Sequence, residues 1–174
     1  MWNSCPCRLA CLVLPGLGAP ACHTGGSQSA IPTPTVELLV FSDPHYYDPS
    51  LGTTGTAFDS YVAHDRKLIA ESDAIMRALV SAVDAANPEV VLIPGDLTKA
   101  GEQISHLSAA NYLRQMKTQG RKIFVVPGNH DIHNPGAASY SGDTTTSVPS
   151  IAPADFAAIY QDFGSNVSLD LATR

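Results

Sequence analysis

The feature that most constrains this chain is a set of three short apolar runs, each cut off by a turn residue and followed at once by polar side chains. The runs cover residues 36–41, 89–93 and 122–126, and Pro94-Gly95 and Pro127-Gly128 close the second and third. A nearly continuous apolar run of this length reads as a strand buried on both faces of a sheet. Helical spacing fills the intervals. Over 66–87, Leu68, Ile69, Ile75, Met76, Leu79, Val80 and Val83 form one stripe, ended by Pro88. Over 102–118, the spacing turns Ile104, Leu107, Ala110, Leu113 and Met116 inward, with Gly120 as the C-cap. A shorter helix is expected over 153–162. Strand, helix, strand, helix, strand is the pattern of right-handed parallel crossover units. The expected fold class is therefore α/β, a layered parallel sheet with flanking helices.

In open α/β sheets, ligands bind outside the carboxyl ends of the strands. Three polar clusters stand at those ends: Ser42-Asp43-Pro44-His45, Gly95-Asp96-Leu97-Thr98 and Gly128-Asn129-His130-Asp131. They bring carboxylates, imidazoles and an amide to one rim from three different loops. Hard oxygen donors mixed with imidazole suit ions such as Mn, Fe, Zn or Mg rather than a soft thiolate site. Gly95 and Gly128 let the backbone turn sharply into these clusters, or simply end buried strands; both readings can hold together.

Asp43-Pro44-His45, Gly95-Asp96 with Gly101, and Gly128-Asn129-His130-Asp131 resemble the first three motifs of the calcineurin-like metallophosphoesterases: DxH, GDxxxxG, and GNH followed by an acidic residue. The resemblance implies the first half of a four-layered α/β/β/α sandwich, and hydrolysis of phosphate mono- or diesters at a dinuclear centre of two divalent ions (Mn, Fe, Zn or similar). It implies Asp43 and His45 as ligands of the first metal, Asp96 as the bridging carboxylate and Asn129 as a ligand of the second. It also implies His130 as the group that contacts the substrate phosphate and protonates the leaving oxygen, oriented by Asp131. Two-metal sites of this kind clamp the attacking and leaving oxygens of an in-line displacement. No further cofactor is implied.

The family adds further histidines downstream, including a G-H-x-H pair, and this sequence has no histidine after His133. The expectation is a partial domain over 36–174, the N-terminal half of such an enzyme, with apolar sheet surface left uncovered and little turnover of its own. The alternative is a non-catalytic exported or lipid-anchored fragment that binds metal weakly.

Upstream, residues 1–22 read as a signal peptide: Arg8, an apolar run from Leu9 to Leu17, then small residues. Cys22 after Ala21 resembles a lipobox, which would attach the chain to a membrane through a lipidated cysteine; ordinary signal-peptidase cleavage nearby is the competing reading. Either way the expected location is exported: periplasmic, membrane-anchored or extracellular. Residues 23–35 read as a flexible linker. All four cysteines lie within the first 22 residues, so nothing downstream builds a disulfide framework or thiolate metal site. Composition narrows the partners. With 10 basic against 16 acidic residues and a formal charge of -6, the chain carries no basic nucleic-acid-binding patch. A phosphate ester is the expected partner.

Several residues near the motifs take two readings. Tyr46, Tyr47 and Asp48 either line a substrate cleft or pack as an aromatic edge. His133 either reaches substrate or metal, or sits in a surface loop. The stretch 136–153 is either a flap or a plain irregular loop. His64 and His106 are expected to be solvated. Asn166-Val167-Ser168 is a glycosylation sequon.

Overall fold

A computed structural model describes residues 35–117 and 120–165. The expected signal segment, Cys22, nearly all of the linker and the Asn166 sequon lie outside them. The elements run β1 (Leu38–Val40), a 3-10 turn (Pro49–Leu51), α1 (Thr56–His64), α2 (Ser72–Ala86), β2 (Val90–Pro94), α3 (Gln103–Met116), β3 (Lys122–Val126), β4 (Ala138–Ser141), β5 (Thr144–Ser147), α4 (Pro153–Ile159) and an irregular turn, Gln161–Ser165. Among them no helix is long and apolar enough to cross a membrane.

β1, β2 and β3 form a parallel sheet in that order. Leu39, Val91 and Ile123 are in register, as are Val40, Leu92 and Phe124. Successive strand residues point to opposite faces, so the first row meets the helices. Val91 and Ile123 pack with Val83 of α2, Leu113 and Met116 of α3, and Phe156, Tyr160 and Phe163, with Leu39 at the margin. The opposite face departs from the two-faced burial read from the apolar run and agrees with the uncovered apolar sheet surface expected above. Leu38 and Val40 are 54% and 55% exposed, so β1 is buried on one face only. An apolar run permits two-faced burial but cannot supply the second layer, and among the described residues nothing covers this part of β1.

Three helix expectations are corrected. The helix expected over 66–87 begins at Ser72, and Leu68 is 65% exposed in the preceding connection. Ahead of it stands α1, whose signal was short: Phe58, Tyr61 and Val62 at i, i+3 and i+4 face Tyr47 and Tyr140. In α3, Ile104 and Leu107 are 42% and 48% exposed, whereas Ser105, His106 and Ala109 are buried. Polar partners draw that face inward, because Ser105 Oγ accepts from Asp48 N at 3.0 Å and His106 sits in a buried network described below. α3 also stops at Lys117, whose N–H reaches the carbonyl of Leu113; Gly120 lies beyond this cap, not at it. The fourth helix covers the first part of its expected range, with Asp155 accepting from Ala152 N at 2.9 Å.

The stretch 136–153, read as either a flap or a plain irregular loop, holds an antiparallel hairpin and so is not irregular. Ser141 pairs with Thr144 across Gly142-Asp143. Gly142 has φ +58°, the left-handed value that two-residue hairpin turns require. Its threonine run favours extended backbone.

Truncating Leu113 to Ala, at the centre of the helix-covered face, is expected to lower unfolding free energy by about 2–5 kcal/mol. Leu38→Ala, on the uncovered face, is expected to stay within about 0.5 kcal/mol. Urea denaturation of both variants checks which face holds the domain together.

Candidate metal centre

Parallel pairing continues beyond the ends of β1 and β2 and carries the first two clusters side by side. Asp43 N donates to Gly95 O at 3.2 Å, His45 N to Asp96 O at 3.1 Å and Tyr46 N to Leu97 O at 2.8 Å. Along this zipper Asp43, His45 and Asp96 have φ of 57°, 43° and 48°. Left-handed backbone is uncommon for residues other than glycine, is least unfavourable for Asp, Asn and His, and concentrates at functional sites. Here it accompanies convergence: one ligand atom from each of Asp43, His45 and Asp96 lies within 4.8 Å of the others.

The His45 imidazole is held in a tautomer that could ligate a metal ion. Nδ1 lies 3.4 Å from the Thr98 carbonyl, which assigns the proton to Nδ1 and leaves the Nε2 lone pair free, 3.9 Å from Asp43 Oδ1. Burial lowers its pKa; the nearby Lys67 and His130 add to this, while the Thr98 carbonyl and Asp96 oppose it. The neutral form, the one that ligates, is thereby favoured.

The third cluster closes over the second. His130 N donates to Asp96 Oδ1 at 2.9 Å. The His130 ring meets the His45 ring edge-to-face at 4.9 Å, with its Nδ1 on the Lys99 carbonyl at 2.8 Å. Asn129 is exposed on the same loop, between these two anchored neighbours. Gly128 must be glycine: a Cβ there would land on the Asp96 carboxylate and backbone. Gly95 packs against Gly128 in turn, its missing Cβ only 2.7 Å from Gly128 N.

Asp131 does not hold the His130 ring, contrary to the orienting role expected for it. Its buried carboxylate accepts from Leu97 N (3.1 Å), Thr98 N (2.9 Å), Thr98 Oγ1 (3.0 Å) and Gly128 N (2.8 Å). It joins the second loop to the third, and the Lys99 carbonyl takes the ring instead. Beneath lies His106, fully buried rather than solvated. Its Nε2 lies 2.9 Å from Asp131 O and its Nδ1 2.9 Å from Tyr160 Oη, whose hydroxyl donates to the His106 carbonyl at 3.2 Å. Burial lowers the His106 pKa against the pull of Asp131, so the ring is neutral.

A second support escaped sequence reading. The Lys99 ammonium is buried 3.2 Å from Glu102 Oε1 and 3.2 Å from Gly136 O. It lies over the rings of Tyr61, Tyr47 and Tyr140 at 4.6, 5.5 and 5.6 Å. This fastens the hairpin and α1 to the loop that carries Asp96. The available signal was a Lys-x-x-Glu pair beside a motif, with tyrosines scattered along the chain. Tyr46 and Tyr47 are buried, which favours aromatic packing, and Asp48 caps the 3-10 turn and accepts from Ser108 at 2.5 Å. His133 is exposed in its loop, and His64 is exposed at the end of α1.

Comparison with family models matches residues 36–169 to the calcineurin-like phosphoesterases. Comparison with curated proteins returns no match.

Two measurements probe this architecture. Gly128→Ala is expected to displace the Asp96 carboxylate and weaken Mn²⁺ binding by about 10- to 100-fold, read by isothermal titration. The second concerns pH in the metal-free chain. His106 resists protonation when folded but takes a proton near 6.5 when unfolded, so the unfolded state binds more protons below that pH. Stability is therefore expected to fall as pH drops through 6.5, with His45 acting in the same direction. His106→Gln should flatten that dependence in urea melts between neutral and mildly acidic pH.

Proposed function

The chain belongs to the calcineurin-like phosphoesterase family, and from that membership we propose that it hydrolyses phosphate esters at a metal centre built on Asp43, His45 and Asp96. The convergence of those three donors is the observation that carries the reading. Two carboxylates and an imidazole with a free Nε2 fit a hard or borderline divalent ion. Held there, such ions supply Lewis acidity, neutralising phosphoryl charge and making water a nucleophile near neutral pH.

The finer assignment extends the family's pattern to these loops. Asp43 and His45 would hold a first ion, and Asp96 with Asn129 of the adjoining loop would hold a second. One Asp96 oxygen accepts from His130 N, which restricts how the carboxylate turns. His130, whose Nδ1 donates to the Lys99 carbonyl at 2.8 Å, would act as an imidazolium and hand its Nε2 proton to the leaving oxygen as the bond to phosphorus breaks. Asp131 is a positioning residue that fixes the spacing between the second and third loops. Phosphate mono- and diesters are the substrate class, and export, with or without lipid attachment at Cys22, is the proposed location.

A second reading is a domain that holds one ion without turnover, favoured by a cluster of three ligand groups, enough for a single ion. Titration with Mn²⁺ is expected to show binding that Asp96→Asn weakens by at least about 10-fold. Hydrolysis of bis-p-nitrophenyl phosphate is expected to be slow in this chain, as its partial ligand set implies, to require Mn²⁺ and to fall with the same substitution. Binding and hydrolysis unchanged by Asp96→Asn would refute the assignment, and Mn²⁺ binding without hydrolysis would favour the second reading.

A further inference from the structure

A cavity of about 430 Å³ opens beside Asp43 and His45. One wall is the first loop from Phe41 to His45; the other is the connection 66–68 ahead of α2, and Ile75 and Leu79 of α2 complete the lining. Its chemistry is divided. Phe41, Leu68, Ile75 and Leu79 offer apolar surface, and Leu68 is 65% exposed there although a leucine gains nothing from water. Arg66 and Lys67 supply two cations on the same lining. Lys67 is tied to Asp65 at 3.4 Å, whereas the Arg66 guanidinium has no hydrogen bond or ion pair among the described residues. The cavity shares Asp43 and His45 with the candidate metal centre, so a molecule seated on the ions has this space beside it.

We propose that this cavity is the subsite for the organic group of the phosphate ester, that it takes an aryl or similarly flat apolar group, and that Arg66 meets the ester's negative charge at its rim. The inference rests on the phosphoesterase reading above. Hydroxyl-rich alcohols are disfavoured, because the four apolar side chains offer them no hydrogen-bond partner and burying an unpaired hydroxyl is unfavourable. A flat apolar group instead covers Leu68 and removes its side chain from water. The guanidinium can form two parallel hydrogen bonds to phosphoryl oxygens, a geometry that a lysine cannot match.

Phenylphosphonate and methylphosphonate test this without turnover, since they carry the same charged head and differ in the organic group. With Mn²⁺ bound to the 174-residue chain, phenylphosphonate is expected to bind about 10-fold more tightly than methylphosphonate. Leu68→Asn, at an exposed position, should abolish that preference while leaving Mn²⁺ affinity and methylphosphonate binding unchanged. Arg66→Ala should weaken both phosphonates by a similar factor. In the unsubstituted chain loaded with diamagnetic Zn²⁺ in place of Mn²⁺, the phenyl protons should show nuclear Overhauser contacts to methyl groups of Leu68, Ile75 and Leu79. Equal affinities for the two phosphonates, a preference that survives Leu68→Asn, or missing contacts to those methyls would each overturn the subsite while leaving the metal centre in place. Phosphonate binding independent of both Mn²⁺ and Asp96 would overturn the phosphoesterase reading, and the subsite with it.

Discussion

The buried carboxylate of Asp131 accepts four hydrogen bonds, three from Leu97 and Thr98 and one from Gly128. An ionised group out of contact with water is tolerable only when donors replace its hydration. Here those donors belong to two loops that leave different strands. The spacing between Asp96 and the His130 loop, and with it the Asp96–His130 hydrogen bond, depends on this one group. His106 extends the same logic one layer deeper, since it is neutral and spans Asp131 and Tyr160, tying α3 and the turn after α4 to the rim.

Above this support, the candidate ligand atoms of Asp43, His45 and Asp96 meet through backbone conformations that the chain would otherwise avoid. Asp43, His45 and Asp96 all adopt left-handed φ. Such conformations persist only where surrounding structure over-determines them. The parallel hydrogen bonds from Asp43, His45 and Tyr46 to the second loop, and the glycine contact between Gly95 and Gly128, provide that determination. Preorganisation of this kind places ligands before any ion arrives, which suits a centre that must hold charge in fixed positions.

The Lys99 ammonium serves a comparable purpose at the outer edge. Breaking a buried ion pair is strongly destabilising because the remaining charge stays uncompensated. The Lys99–Glu102 pair, with three tyrosine rings around the ammonium, therefore anchors the β4–β5 hairpin and α1 firmly. The His130 ring leans on the carbonyl of the same lysine, so one residue couples the outer elements to the third loop.

The parallel three-stranded sheet, its two crossover helices and the convergence of Asp43, His45 and Asp96 at one rim were legible in the chain itself. They follow from short-range signals: apolar runs, helical spacing, proline and glycine at strand ends. The inward face of α3, the one-sided burial of β1, the hairpin after Gly136 and the burial of His106 were not. Each depends on partners far away in sequence, such as Asp131 with Leu97, 34 residues apart. Periodicity reports which residues share a face. Whether that face meets apolar surface, a buried polar network or water is decided only when distant segments compete for the same space.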